Sequence, residues 1–468
     1  MKPMSEDTIC GIATASGRSA IGMIRVSGSD AIRICDGIFD GKKCIRDMET
    51  FTAAYGHIVN PDTKDPVDEV IVLVMKHPHT YTTEDTVEIS THGGPFVIRR
   101  IMDLLLSRGV RPAEPGEFTR RAYMGGRIDM TEAEAVMDVI SAESDMALKS
   151  SLQQLSGRLR TEITELRDTI LHETAFIEAA LDDPENYSLD NYDSKLSVII
   201  DEVYDRIEKL LLTYDEGRVL KNGISTVIAG KPNVGKSSIL NLLVGQDRAI
   251  VSDIEGTTRD TLEEYIHLGS TVLKLVDTAG IRETEDVVEK IGVDRARSSI
   301  TDADLILYIV DGSEDLSEQD HMVMSQLKGK KVIMLINKSD LDMVVDRDKL
   351  MADYKKITGD DSDIPGIYIS AKEGTGLEEL RSTIEDMFFR GDIDFNNQIY
   401  ITNTRHKASL LSALDSLTRV KDSIAAGMGE DFYTIDMMAA YESLGEIIGE
   451  TLEDDLADKI FKDFCMGK

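Results

Sequence analysis

A chain of 468 residues is too long for one hydrophobic core, so two to four domains are expected. Its 86 acidic residues outnumber 52 basic ones, a formal net charge of −34, so on average the surface repels nucleic-acid phosphates and any such contact needs a local basic patch or a partner. No run of about 18 apolar residues occurs, the start MKPMSEDTIC lacks an apolar signal core, and Cys10, Cys35, Cys44 and Cys465 form no CxxC pair, so a cytoplasmic protein with no membrane contact, no disulfide framework and no zinc site is expected.

Residues 1–122 read as an α+β domain. β-rich runs at Ile21–Val26, Val70–Met75 and Thr86–Ser90 alternate with Gly/Pro punctuation at His92–Pro95 and Glu114–Gly116. From about Thr131 the period changes. Leu148, Leu152, Leu155, Leu159, Ile163, Leu166 and Ile170 step by three or four, which predicts an amphipathic helix within a bundle core. Leu196, Ile200, Val203, Ile207, Leu210 and Tyr214 repeat the stripe after an acidic turn at Asp182–Asn186, and the tail repeats it at Leu410, Leu414 and Leu417 and from Ile435 to Ile448. Between the helical stretches, short apolar runs (Ile224–Ala229, Val272–Val276, Leu305–Val310, Val332–Ile336, Ile367–Ile369) alternate with helical segments, the pattern of a parallel sheet covered on both faces. The predicted fold is therefore multidomain, α/β plus all-α: an N-terminal α+β domain (1–122), a helical domain in two parts (123–219 and 387–468), and an inserted Ras-like P-loop domain (220–386).

Gly230–Ser237 (GKPNVGKS) fits a phosphate-binding loop between a predicted strand and a predicted helix. Its glycines let backbone N–H groups turn toward the phosphates, Lys236 reaches the β/γ-phosphates, and the Ser237 hydroxyl suits Mg²⁺. Asp277-Thr278-Ala279-Gly280 ends another predicted strand, where Asp277 can hold Mg²⁺ through water and the Gly280 N–H can meet the γ-phosphate. Thr258, in Gly256-Thr257-Thr258, offers the metal a second hydroxyl. Asn337-Lys338-Ser339-Asp340 closes a further strand, and the Asp340 carboxylate can accept from both N1–H and the exocyclic amine of guanine, which adenine cannot supply. Ser370-Ala371-Lys372 falls where a loop would cover the base. Four motifs in this order predict GTP binding and hydrolysis. The expected GTP contacts are Asn233, Val234, Gly235, Lys236, Ser237, Ser238, Ser252, Thr257, Thr258, Asp277, Thr278, Ala279, Gly280, Asn337, Lys338, Asp340, Ser370, Ala371 and Lys372. Ile281 stands where many GTPases carry a water-orienting Gln, so the water needs another holder; Glu283, Glu285, Asp286 and Glu289 all offer carboxylates, and composition does not choose among them.

Gly230–Ser238, Ser252–Asp260 and Asp277–Arg282, together with Pro115–Thr119, Glu132–Val136 and the C-terminal Phe464-Cys465-Met466-Gly467-Lys468, resemble the MnmE (TrmE) tRNA-modification GTPases over essentially the whole chain. The resemblance implies a homodimer joined through an N-terminal domain that binds 5-formyl-tetrahydrofolate or another one-carbon folate, with Arg25, Glu88, Arg127 and Lys468 as its contacts. It implies K⁺ beside the phosphates, held by Asn233, Ser252, Ile254 and Thr257, and Glu289 as the water-orienting carboxylate. It also implies an MnmG-type FAD protein as partner, in a heterotetramer or larger complex that holds most of the tRNA. That complex modifies the wobble uridine at C5, with the nitrogen from ammonium or glycine. Glu114, Arg127 and Thr91 depart from the family's commoner Arg, Lys and Gly. Cys465 admits two roles, a nucleophile or a small packed hydrophobe. The rival readings are a ribosome-assembly GTPase of the Era or EngA kind, which would carry a basic RNA-binding module, and a septin-like scaffold.

Overall fold

The computed structural model describes residues 7–15, 17–246, 264–269, 271–276, 303–389, 398–450, 460–461, 464 and 467. Contacts divide the chain into two compact units, one of residues 1–137, 154–204 and 408–468, the other of 138–153 and 205–407.

In the first unit, strands β1 (Ile9–Ile12), β2 (Ile21–Ser27), β3 (Phe39–Gly41), β4 (Thr52–Val59), β5 (Pro66–Met75), β6 (Thr86–His92) and β7 (Arg111–Pro112) form one sheet in the order β3-β4-β5-β6-β2-β1-β7. Period-two alternation sends Ile24, Val26, Val72, Val74, Val87 and Ile89 to one face, against helices α1 (Ala31–Asp36) and α2 (Pro95–Ser107). The alternate residues face the other way. There, pairing of β2 with β6, β6 with β5 and β5 with β4 lines up Arg25, Glu88, Leu73 and Ala53 in one cross-strand row and Met23, Ser90, Ile71 and Tyr55 in the next. Ile71 and Tyr55 are exposed.

Helix α3 (Glu117–Met124) starts from Gly116, whose φ of 69° is left-handed; a Cβ there would lie 2.4 Å from the Phe461 carbonyl oxygen. Phe461 and Phe464 pack with Met130 and Ala133 of helix α4 (Met130–Ile140), which docks this part of the C-terminal tail on the N-terminal segment. The Leu148–Ile170 stripe is not one helix. It breaks at Gly157 (φ 77°) into α5 (Asp145–Leu155) and α6 (Arg158–Asp182). Leu159, Ile163, Leu166 and Ile170 are buried, whereas Leu148 and Leu152 are 37% and 49% exposed, because a left-handed residue ends the helical register that the spacing implied. The next stripe is divided between α7 (Tyr192–Leu212) and α8 (Tyr214–Asn222). Along the late helix Glu430–Ile448, Tyr433, Met437, Ala440, Leu444 and Ile447 are buried and Ile435 is exposed, so that stripe starts two residues earlier than expected.

The second unit carries a sheet of order β13-β12-β11-β8-β10-β9, with β8 (Ile224–Ala229), β9 (Glu264–Leu268), β10 (Thr271–Leu275), β11 (Leu305–Asp311), β12 (Val332–Asn337) and β13 (Gly366–Tyr368). All neighbouring pairs are parallel except β9 with β10. Helices α9 (Lys236–Gln246), α10 (Glu318–Met324) and α11 (Arg347–Thr358) lie between strands and α12 (Leu377–Phe388) follows β13, and β8, β11 and β12 are nearly continuous apolar runs, as strands buried on both faces must be. This is the α/β grammar expected for 220–386, yet the compact unit takes in more chain. Lys221 pairs with Asp138 at 2.8 Å, the Gln153 side-chain amide donates to the Gln398 carbonyl at 2.6 Å, and the Tyr214 and Thr404 hydroxyls meet at 3.0 Å. Among the described residues no helix is long and apolar enough to cross a membrane.

Asp129 and Glu132 cap the start of α4 reciprocally: Asp129 Oδ1 accepts from the Glu132 N–H at 2.7 Å and Glu132 Oε2 from the Asp129 N–H at 2.8 Å. Among the described residues the other Asp129 oxygen, buried, has no hydrogen-bond partner, and burial pushes the carboxyl up to about 6. Since the unfolded carboxyl ionises near 4, the unfolded state loses this proton first as pH rises from about 4 to 6, so the group withdraws stability across that window and remains costly above it. Asp129→Asn, which keeps the accepting oxygen, is expected to stabilise the chain by about 1–2 kcal/mol at pH 7.5, with the gain shrinking toward about pH 5. Urea unfolding midpoints at the two pH values check this.

Candidate functional site

The loop between β8 and α9 is shaped by three unusual backbone residues. Gly230, Asn233 and Gly235 have φ of 153°, 64° and 97°, and a Cβ on Gly230 would lie 2.5 Å from the Ile309 carbonyl oxygen. Such turns aim successive N–H groups into one concavity at the start of a helix, where the helix dipole adds positive potential. The Lys236 ammonium donates to the Gly230 and Lys231 carbonyls at 2.9 and 2.8 Å, and burial lowers its pKa. It therefore lies across the mouth of the loop, over carbonyls that an anion can replace. Asn233, Ser237 and Ser238 are exposed, and Val234 anchors the loop in the core beneath.

Asn337 ends β12 beside this loop. Its Nδ2 donates to the Val234 carbonyl at 2.8 Å and its Oδ1 accepts from the Ala371 N–H at 3.2 Å, so it braces the phosphate loop against the Ser370–Lys372 loop. A Cβ on Gly235 would lie 2.3 Å from that Nδ2, so the glycine is needed for close approach as well as for φ. Lys338, left-handed at φ 65°, pairs with Asp311 at the end of β11. The Ser370 hydroxyl donates to Asp340 Oδ1 at 2.7 Å, and that hydrogen bond foremost holds the Asp340 carboxyl below the usual carboxylate range; Lys372 stands 4.0 Å from Asp340. Thus Lys236, Asn337, Lys338, Asp340, Ser370, Ala371 and Lys372, expected together from spacing, meet at the C-terminal ends of β8, β12 and β13, with β11 between β8 and β12. Brackets of this kind at strand C-termini are where open α/β sheets bind ligands. Two further side chains carried no recognisable signal in the sequence: Lys231, 2.9 Å from the fully buried Asp320, and Asp311.

The first unit holds a separate site. Arg25, Glu88 and Arg127 line one cavity of about 570 Å³, with Phe51, Met75, Pro78, His79, Thr80 and Tyr81. Arg25 and Glu88 are opposed across β2 and β6 and pair at 2.9 Å. The Arg25 guanidinium lies 5.4 Å from the Tyr81 ring and 5.6 Å from Phe118, and the Arg127 guanidinium lies 5.0 Å from Tyr81. The Tyr81 hydroxyl meets the Thr119 hydroxyl at 2.9 Å. Phe118 and Thr119 belong to the Pro115–Thr119 motif that carries the family resemblance; its physical part is to seat Tyr81 and through it both guanidinium groups. Among the described residues Arg127 has no carboxylate partner, so the cavity carries one cation in excess.

Ser252, Ile254, Thr257, Thr258, Asp277, Thr278, Ala279, Gly280, Glu283, Glu285, Asp286, Glu289, Cys465 and Lys468 lie outside the described residues.

The family model described as the MnmE helical domain matches residues 130–465, and that for the GTP-binding protein TrmE N-terminus matches 8–127. A tRNA modification GTPase MnmE from Lachnoclostridium phytofermentans is 47% identical over 468 residues, covering 99% of this chain and 100% of that one. The chain belongs to the MnmE family of tRNA modification GTPases. A Staphylococcus epidermidis member is 42% identical with the same coverage. Among solved structures, the G domain of the T. maritima FeoB iron transporter matches 35% of this chain and 97% of its own at 27% identity, with a TM-score of 0.24. As the MnmE family implies, the chain combines a TrmE N-terminal domain, a helical domain and a GTPase module.

The brace at Asn337 has a measurable consequence. Asn337→Ala leaves the Val234 carbonyl and the Ala371 N–H without their partner, so GTP and GDP are expected to bind about tenfold more weakly, both alike, because the loop is loosened before either is bound. Fluorescence titration with labelled GDP and GTP checks this, and native affinities would show the brace to be idle.

Proposed function

We propose that this MnmE-family chain acts as a homodimer with an FAD-dependent MnmG-type partner, in a heterotetramer or larger complex, and adds a (carboxymethyl)aminomethyl group to C5 of the tRNA wobble uridine at the expense of GTP. The observation that carries the folate part is the cavity: Arg25, Glu88 and Arg127, far apart in sequence, line one space with a net positive charge and aromatic walls. A one-carbon folate has a flat heterocycle with N–H donors and an acidic tail, which suit Glu88 and Arg127 respectively. When bound it would bring the carbon that is transferred. The exposed sheet face bearing Ile21, Ile71 and Tyr55 fits a second copy of the chain. The tail supports a share in the same site. Phe461 and Phe464 are packed in this unit, and a Cβ on Gly467 would lie 2.4 Å from the Ile12 carbonyl oxygen, in the strand that pairs Gly11 with Arg25. Lys468 follows Gly467 and Cys465 lies two residues before it, so we assign them to the folate site, Lys468 as a cation for the folate and Cys465 as a nucleophile or a packing group.

In the GTPase module, loop amides and Lys236 bind the phosphates, Asp340 reads guanine, and Ser370–Lys372 cover the base. Ser237, exposed in the first turn of α9, fits a Mg²⁺ ligand together with Thr258, and that ion would neutralise developing phosphate charge. Asn233, exposed and left-handed at the loop tip, suits the K⁺ role shared with Ser252, Ile254 and Thr257. Glu289 is the proposed holder of the attacking water. Hydrolysis then drives movement of the GTPase modules and forms no bond in the product. The partner holds most of the tRNA, in keeping with a chain of net charge −34.

The full chain should bind 5-formyl-tetrahydrofolate, and Arg127→Ala should weaken that binding about tenfold or more and abolish wobble-uridine modification in cells, while GTP hydrolysis stays near wild type. Calorimetric titration and nucleoside analysis of tRNA check both; native folate affinity in the variant would remove the cavity from the reaction. At the other site, Asp340→Asn exchanges an acceptor for a donor at the base edge. Its GTP affinity should fall by about 10² and its preference should move toward xanthosine nucleotides, measured by competition between GTP and XTP.

A further inference from the structure

The cavity of Arg25, Glu88 and Arg127 carries two six-membered aromatic rings, Tyr81 and Phe51, beside the His79 imidazole, and the two are not equivalent. Tyr81 is engaged: two guanidinium groups lie 5.4 and 5.0 Å from its ring and its hydroxyl is bonded to Thr119. Phe51 is not. It lines the same cavity, is 60% exposed, and among the described residues neither a ring nor a cation stacks on it. Its backbone is in the left-handed region, φ 57°, which a bulky side chain seldom adopts. The Phe51 N–H donates to the Val74 carbonyl at 2.7 Å, which holds the residue there just ahead of β4. Glycine would supply this turn without strain, so the turn itself does not call for a phenyl group. Backbone strain at a ligand cavity, joined to a large apolar ring left open to it, assigns the ring a partner from outside the chain. Met75 and Pro78 line the cavity as well and extend the apolar wall, while Glu88 and the two arginines supply its charged part.

We propose that Phe51 is a specificity-determining residue of this cavity, the surface on which the flat heterocycle of an anionic ligand stacks while Arg127 takes the acidic end. The inference rests on the folate reading above and adds to it the element that tells a pteridine-bearing ligand from any other small carboxylate. Stacking on a phenyl face is insensitive to hydrogen-bond pattern, so it gives affinity for a planar ring, and Glu88 with Arg25 gives the orientation.

The probe is 5-formyl-tetrahydrofolate, titrated calorimetrically into the full chain and into Phe51→Gly, Phe51→Leu and Phe51→Tyr. Phe51→Gly and Phe51→Leu should bind about tenfold more weakly than wild type, and Phe51→Tyr like wild type. Because glycine relieves the left-handed strain, the melting temperature of Phe51→Gly should be unchanged or higher, which separates loss of the ring from loss of the fold. Wild-type affinity in Phe51→Gly overturns the proposal. So does a loss of binding that accompanies a lower melting temperature or a changed oligomeric state in sedimentation, since the ring would then serve the fold or the dimer. A wild-type chain that fails to bind the probe refutes the folate reading itself, and this inference with it.

Discussion

A phosphate loop works by turning successive peptide N–H groups inward, which leaves its carbonyls facing away and in need of donors. In this chain the Asn337 carboxamide donates to the Val234 carbonyl, and the same side chain accepts from the Ala371 N–H. One side chain at the end of β12 therefore fixes the distance between the Gly230–Lys236 loop and the Ser370–Lys372 loop. The remaining local features make room for it or add to it: the Gly235 Cα passes where a Cβ would strike Nδ2, Lys338 is turned left-handed onto Asp311, and Ser370 holds Asp340. Lys236 completes the arrangement. Half-buried and bonded to two carbonyls, it is a cation already partly desolvated, so an arriving phosphate replaces weak acceptors with a strong one.

The N-terminal unit depends in the same way on a charge cluster whose centre, Arg121 with Glu84 and Glu117, is buried and whose edge, Asp7 and Arg111, is partly exposed. Arg121 pairs with Asp7, Glu84 and Glu117, and Glu117 also takes Arg111. Charges this deep are costly unless every partner is present, so removing one leaves the others uncompensated. Their effect is local and specific: they fix the first turn of α3. From that turn Phe118 lies under Arg25 and Thr119 bonds Tyr81, and the two guanidinium groups are held at the cavity wall. Glu84 belongs to the segment before β6, and it accepts from Ser27 at the end of β2 as well, so the cluster ties the helix to the very strands that present Arg25 and Glu88.

The two sites differ in how they could be read. The Gly230–Lys236 loop, Asn337–Asp340 and Ser370–Lys372 were legible as candidates because each is a run of neighbouring residues, and neighbours are what a sequence displays. The helical stripes were legible for the same reason, through a period of three to four residues. Their limits were not. Gly157 divides Leu148–Ile170 because its backbone is left-handed, a choice the leucine spacing does not record, and Lys221 meeting Asp138 joins segments more than eighty residues apart.

By itself the sequence determined the order of the GTPase motifs and a likeness extending through both ends of the chain. The resemblance named Arg25, Glu88 and Arg127 together, but no pattern in the residues shows why; the cavity they line is the work of tertiary structure. Arg25, Phe51, Tyr81, Glu88 and Arg127 come from strands, loops and a helix end, and none of their spacings has a period. Arg25 opposes Glu88 because β2 pairs with β6 in one register; a slip of one residue would send both to the opposite face, into the apolar core against α1 and α2. Register is set by the hydrophobic face as a whole, through Ile24, Val26, Val87 and Ile89, so the polar partners follow from packing they take no part in.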